Sequence, residues 1–491
     1  MKSRMIASCS LMAVLLTLIV SCSDSADLGT VSGSDTTPSA DSVAETTAGT
    51  ELPAMKPLPE ADFGGMTFRI SNNDPAAFSW SHILTEADED GTPVNDAIHL
   101  RNAKLEETYN FTLETTYQKD FGTGYVNTFV LAGEDAYDIC LLYDINAASV
   151  IDVLQPWNDL PYIDVTEAWW NPAATEYFNI GGRQYLTAGN MTLTYISRAM
   201  CYLFNKNIYA ALGFDENLYD MVLDGKWTLD VFHRMAAEAV SDLNGDGAYD
   251  ENDRYGVFGN PRAYYNTQFA GADIRYVERE NDGTYVFRMQ ENTAAIDMIE
   301  KLLAFDAANP NLSYNTGRAA HELIPDTLFE SGQALFNVGG LPHTIEQLRS
   351  MEDEFGILPL PKADEAQAEY HTTAYGGVLS ALPKTVPEER FEAIGLILEA
   401  MTRDTYTEIV PLYKEVLLKT KYSRDAESSE MLDIIFSTIQ FDPGIVLWCS
   451  SISDVICTDL FMKGNNAVVS FFEKKKPVFD KLLNDFNDTV E

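Results

Sequence analysis

The sequence predicts an α/β protein built on mainly parallel sheets, and three observations carry that prediction. Short apolar runs of strand length alternate with longer amphipathic stretches along most of the 491 residues. Two of those runs, Tyr137-Asp-Ile-Cys-Leu-Leu-Tyr143 and Met200-Cys-Tyr-Leu-Phe-Asn205, are nearly continuous in apolar residues, as strands covered on both faces must be. The first of them gives way to Asp144, a polar residue where the carboxyl end of a strand should meet solvent. The length points to two or three compact units, and no internal repeat is evident.

Taken in order, residues 1–21 read as an export signal: Lys2 and Arg4 precede the apolar run from Leu11 to Val20, which is about half the ~20 residues that spanning a bilayer requires. Ile19-Val20-Ser21-Cys22 resembles a bacterial lipobox, which implies a mature chain beginning at a lipidated Cys22 on the outer face of a membrane. Residues 22–58 are expected to be that cysteine and a disordered tether of Ser, Thr, Asp and Ala, too poor in apolar groups to offset its own ordering entropy. Random-coil scaling gives such a tether a mean span of roughly 30 Å. Met66–Ser71 alternates as a strand does, Asn95–Asn110 carries Ile98, Arg101, Leu105 and Tyr109 at helical spacing, and Phe111–Leu113 begins another strand.

Beyond Asn205 a helix is predicted up to Val240 with Thr228 as its N-cap, and another over 291–308 with Ile296, Ile299, Leu302 and Leu303 on one face. Ala334–Val338 and Phe355–Pro359 are strand candidates. Thr385-Val-Pro-Glu388 has the Ser/Thr-x-x-Glu spacing of a capping box and should open the helix that runs through Arg390–Met401.

A formal net charge of −42 opposes any nucleic-acid or anionic-lipid surface, because phosphate binding needs a basic excess. The run Lys474-Lys475-Lys476 reads as a solvated helix face. Of the six cysteines, Cys140, Cys201, Cys449 and Cys457 lie beyond the signal and lipobox without CxxC spacing, and buried thiols are expected. The signatures of a phosphate-binding loop, a zinc protease helix and a nucleophile elbow are absent, and the six histidines lack metal-ligand spacing. A carboxylate pair for glycoside chemistry stays open, since 75 acidic residues offer many pairs and their separation in space decides.

One stretch, DLNGDGAYDENDRYG, has the pattern of a twelve-residue calcium loop. Asp242, Asn244, Asp246, the backbone carbonyl of Ala248, Asp250 and Asp253 would supply oxygens, and Gly247 would permit the sharp bend. Asp253 replaces the longer glutamate, and Arg254–Phe258 reads as a turn into a strand, so the paired helix of a calcium sensor is missing. A structural Ca2+ clip is the expectation, with a metal-free acidic turn as the alternative.

With these features in hand, the chain resembles extracellular solute-binding proteins of family 1, the lipid-anchored receptors of ABC importers. The likeness rests on Asn95–Asn110, Tyr137-Asp-Ile139, Trp169-Trp170-Asn-Pro172, Phe204-Asn-Lys206, Gly225-Lys-Trp-Thr228 with the acidic loop through Gly256, Phe355–Lys362 and Thr385–Ala400. It implies a two-lobed periplasmic-binding-protein-like fold of type II with the ligand in the cleft, lobe 1 being 59–195 plus 376–440 and lobe 2 being 196–375 plus 441–491. Crossings are expected near 190–200 and 372–380, with Gly376-Gly377 either at the second crossing or marking a turn before a strand.

Sugar recognition calls for aromatic faces and a few convergent polar groups. The positions implied are Trp80, Tyr143, Asp144, Asn190, Gly340, His343, Tyr375 and Trp448, while Trp169 and Trp170 are assigned to packing. The implied activity is capture of a carbohydrate, in particular an oligosaccharide, by a monomer at the extracellular face. Its partners would be an ABC permease with a separate ATPase, and the membrane through the lipid anchor only. The rival reading is a surface glycan-active enzyme, a hydrolase or lyase.

Overall fold

The apolar run that ends at Tyr143 lies between two cores, as its composition requires: Ile139 and Leu141 face one, Cys140 and Leu142 the other. In this computed structural model the described residues are 55–75, 89, 91–120, 122–313, 327–341, 348, 351–374, 376–419 and 426–490. The signal, Cys22 and nearly all of the tether lie outside them, and residues 53–491 form one compact unit.

The chain starts with β1 (Met66–Asn73), α1 (Pro93–Tyr109), β2 (Phe111–Gln118), α2 (Thr123–Leu131) and β3 (Ile139–Tyr143), followed by the short strands β4 (Leu154–Gln155) and β5 (Leu186–Thr187). It continues through β6 (Met200–Asn205), α3 (Leu229–Ala239), β7 (Tyr255–Phe258), α4 (Pro261–Gly271), α5 (Thr293–Ala308), β8 (Ala334–Gly340) and β9 (Phe355–Leu358). The last part holds β10 (Thr372–Thr373), β11 (Val378–Pro383), α6 (Phe391–Asp404), α7 (Ala426–Ser437), β12 (Ile439–Gln440) and α8 (Val468–Val490).

Two sheets organise these elements. The first has the order β2-β1-β3-β11-β4, with β5 also on β11, and the second β9-β6-β8-β7. Each is parallel save for one reversed strand. β11 runs against β3, β4 and β5, while β6 runs against β8 and β9. Both reversed strands enter their sheet from the crossing segments, 188–199 and 359–377, and so start where their neighbours end. The two crossings meet in an antiparallel bridge, Ala199 with Ala374.

β6 repeats the two-sided logic of β3. Met200, Tyr202 and Phe204 join one core, Cys201 and Leu203 another that includes Leu432 and Ile435 of α7. On the first sheet α6 is buried nearly all round, and its Glu399 carboxylate accepts the indole N–H groups of Trp169 (2.9 Å) and Trp170 (2.6 Å) and pairs with Arg403 (2.7 Å). Both tryptophans are therefore packing residues. Cys140, Cys201, Cys449 and Cys457 are buried and unbridged.

Local start signals fare less well than periodicity. Thr228 is the N-cap residue of α3, but its side chain makes no capping bond. The expected capping box at Thr385 is not formed: α6 is entered through a 3-10 turn at Glu388–Arg390, and the buried Thr385 hydroxyl has no partner. The run of three lysines sits on α8, where Lys475 pairs with Asp459 (2.7 Å) and Lys476 with Asp480 (2.8 Å).

Candidate functional site

Because each reversed strand begins where its neighbours end, the carboxyl ends of β3 and β8 meet the amino ends of β6 and β11. Arg198, the second residue before β6, stands at that meeting point. Gly340, ending β8, lies against its backbone, with a built Cβ 3.6 Å from the Arg198 Cα. Gly376 faces its side chain. A Cβ there would come within 2.6 Å of the Tyr143 hydroxyl and 3.0 Å of an Arg198 guanidinium nitrogen, and the backbone takes φ +74°, which favours glycine.

Asp144 is the buried polar group of this junction. Its Oδ2 accepts the Gly377 N–H (2.9 Å), and its own N–H donates to the Gly377 carbonyl (3.1 Å), so the end of β3 is tied to the returning crossing by two bonds. Burial pushes its carboxyl up to about 8, opposed by the Gly377 amide and the positive charge of Arg198. Burial also raises the Tyr143 hydroxyl, with the Asp144 charge adding to the effect. The Tyr195 ring packs against Gly377, and its buried hydroxyl has no partner.

The C-terminal segment closes the junction from the side. The Cys449 N–H donates to Ile145 (3.1 Å), and Asp454 pairs with Arg262 of α4 (3.0 Å). Thus a residue next to β3 and a helix of the second sheet are bridged by the same short stretch.

Of the sequence-predicted positions, Tyr143, Asp144 and Gly340 come together here. Asn190 lies apart, its side chain donating to the Trp169 carbonyl (3.0 Å). Trp448 is 3% exposed in an aromatic core, edge to face with Tyr285 (5.1 Å) and Phe486 (5.0 Å). Trp80, His343 and Tyr375 lie outside the described residues. Sequence reasoning missed Arg198, which has no local signature, and Asn73, a fully buried residue at the carboxyl end of β1 whose side-chain amide has no partner.

It also missed a cavity of about 170 Å³ at the carboxyl edge of the second sheet, where β7 and β8 end. Tyr264 and Tyr265 of α4, Asp306 of α5, Asn309 and Phe461 line it. The Tyr265 hydroxyl donates to Asp306 Oδ2 (2.8 Å), while that of Tyr264 is buried without a partner. Burial pushes the Asp306 carboxyl up to about 6, against the pull of that bond.

The calcium-loop positions stand elsewhere, between α3 and β7, joined at their base by a bridge between Ser241 and Arg254. Every donor expected of Asp242, Asn244, Asp246, Ala248, Asp250 and Asp253 is an oxygen, the chemistry a hard cation takes. Within the loop the carboxylates turn to backbone amides. Asp242 accepts from Gly245 (2.6 Å) and Gly247 (2.8 Å), and the wholly buried Asp253 from Leu243 and Asp250 (both 2.9 Å). Among the described residues no three His, Cys, Asp or Glu side chains converge as a metal site.

No protein-family model matches the chain, and no curated protein does. Solved structures do. UspC of M. tuberculosis superposes with a TM-score of 0.56 at 15% identity, over 85% of this chain and 100% of that one. The cyclic alpha-maltosyl-1,6-maltose binding protein from Arthrobacter globiformis gives 0.55 at 16% identity, over 87% and 98%. The galacto-N-biose/lacto-N-biose I-binding protein of an ABC transporter from Bifidobacterium longum, crystallised with lacto-N-biose, gives 0.55 at 16%, over 87% and 98%. The fold is accordingly the two-lobed one of periplasmic-binding-protein-like molecules.

Proposed function

We propose that this chain is the solute-binding component of an ABC importer, which captures a carbohydrate, in particular an oligosaccharide, by hinge closure and alters nothing in it chemically. The observation that supports this most is the fold shared over 87% of the chain with two proteins that bind sugars, one of them part of an ABC transporter. In such a fold a ligand that touches both lobes only when they are shut shifts the balance between open and closed forms by its differential affinity. The junction around Arg198, Gly340, Gly376 and Asp144, where both sheets end beside both crossings, suits a hinge next to a site.

The lipobox-like Ile19–Cys22 supports an anchor at the extracellular face, and among the described residues no helix is long and apolar enough to cross a membrane. In the proposed arrangement a monomer hands its cargo to a permease driven by a separate ATPase. The calcium loop is proposed as a fastener of α3 to β7, with Asp242, Asn244, Asp246, Ala248, Asp250 and Asp253 as its oxygens.

Calorimetric titration of residues 59–491 with a panel of neutral oligosaccharides is the test. Saturable heat with at least one sugar, recovered intact, is expected. Silence across the panel would sink the reading, and recovery of a cleaved sugar would favour the surface enzyme instead.

A further inference from the structure

Beside the two crossings, the first-sheet and second-sheet sides of the molecule also touch through a pair of short hairpins. One, at 179–184, lies between Trp170 and β5, and the Gln184 N–H ties it to the first-sheet side by donating to the Asn158 side chain (2.8 Å). The other, at 278–286, lies between α4 and α5 of the second-sheet side, with Arg279 opposite Tyr285. Their turns meet backbone to backbone. A Cβ built on Gly283 would stand 3.2 Å from the Gly181 nitrogen, and Gly283 takes φ +94°, so this close approach calls for glycine.

Two bonds across this contact end on main-chain carbonyls: the Arg279 Nε–H donates to Asn179 (2.9 Å), and the Tyr285 hydroxyl donates to Tyr177. Tyr285 is fixed from behind. Asn487 of α8 accepts its N–H (3.0 Å) and donates to its carbonyl (3.0 Å), while its ring, 1% exposed, stands edge to face with Trp448 (5.1 Å) and Phe486 (5.8 Å). A residue held in this way cannot follow the first-sheet side if that side moves off, and separation would leave its buried hydroxyl unpaired. From here the packing runs on to the crossings: Phe178 meets Phe441 edge to face at 5.7 Å, and Phe441 meets Tyr195 of the first crossing at 4.6 Å.

We infer that the two hairpins form a pivot, a third attachment between the lobes that stays made whether they are open or shut. This rests on the hinge-closure reading above and sharpens it. Two crossings that meet at the Ala199–Ala374 bridge leave the lobes free to twist as well as to close, whereas a second attached point away from that bridge defines one line about which rotation can occur. Closure is thereby confined to a single axis. The freedom removed in advance is freedom that a ligand need not remove on binding.

Spin-label distances measured on the compact unit of residues 53–491 test the pivot. Labels go on Leu131→Cys of α2 and Leu223→Cys between β6 and α3, whose side chains are 79% and 54% exposed, while the four native thiols of this unit are buried and leave the labelling selective. Without ligand, the labelled parent should give one narrow distance distribution. Arg279→Met and Tyr285→Phe together remove both bonds, which raises the share of undocked hairpins about tenfold and should broaden that distribution around an unchanged mean. Should the double variant melt early, each single variant keeps one bond and gives the same reading at smaller amplitude. A shifted mean would make the contact a latch of one lobe angle, and an unchanged width would mean that it restrains nothing; either overturns the pivot. A parent mean that ignores every neutral oligosaccharide would remove the closure reading, while the ligand-free widths still decide the pivot.

Discussion

Asp144 shows how much one side chain at a junction can do. Its folded-state carboxyl is raised by burial from 3.8 to about 8, so between those values the native chain keeps a proton that the unfolded chain releases. For an acid shifted upward, stability is highest below the unfolded pKa and declines as pH climbs toward the folded one. Urea midpoints should therefore fall from pH 5 to pH 8 more steeply in the wild type than in Asp144→Asn, which keeps an acceptor for the Gly377 amide. Parallel slopes would refute the assignment.

Asp138 is a buried side chain surrounded by donors. It accepts from the backbone and guanidinium of Arg69 (2.8 Å each) and from Arg390 (2.6 Å), binding β1, β3 and the entry to α6. Asp138→Ala would deprive the Arg390 guanidinium of its carboxylate partner and leave Arg69 with Asp135 alone, and a loss of about 3 kcal/mol in unfolding free energy is expected from denaturant titration.

Among elements, the acidic loop between α3 and β7 is separate from the Arg198 junction in sequence and in its bonding. A chelator should lower the melting temperature of the protein while leaving sugar affinity, measured well below melting, nearly unchanged. Affinity lost in step with calcium would place the metal at the ligand. The strand that follows tolerates no side chain at Gly256, where a Cβ would lie 2.1 Å from the Ala236 carbonyl of α3, so the loop must deliver β7 flush against that helix. The amphipathic spacing of α1 and α5 was legible because a helix's buried stripe is written in its own period. The missing capping bonds at Thr228 and Thr385 were not, since the path of the preceding chain decides whether a hydroxyl reaches the first turn.

For the whole molecule the consequence of two sheets with one reversed strand each is that both crossings and several strand ends share a single region. Closure about that region should appear in X-ray scattering as a smaller radius of gyration when a binding sugar is added. Gly376→Ala ought to blunt both the contraction and the affinity, because a Cβ there meets the Tyr143 hydroxyl and requires a strained positive φ. An identical profile with and without saturating sugar would exclude hinge closure.

By itself the sequence determined what each segment is: continuous apolar runs became strands with a core on each face, and helical stripes became helices, because those patterns depend only on neighbours along the chain. Tyr143, Asp144 and Gly340 could be chosen as ends of such runs. Only the tertiary structure decided that these ends converge on Arg198, that Trp448 is spent in a core, and that Tyr264, Tyr265 and Asp306 share a cavity. Their meeting depends on the direction in which the two crossings enter each sheet, a relation between distant segments that no local pattern records.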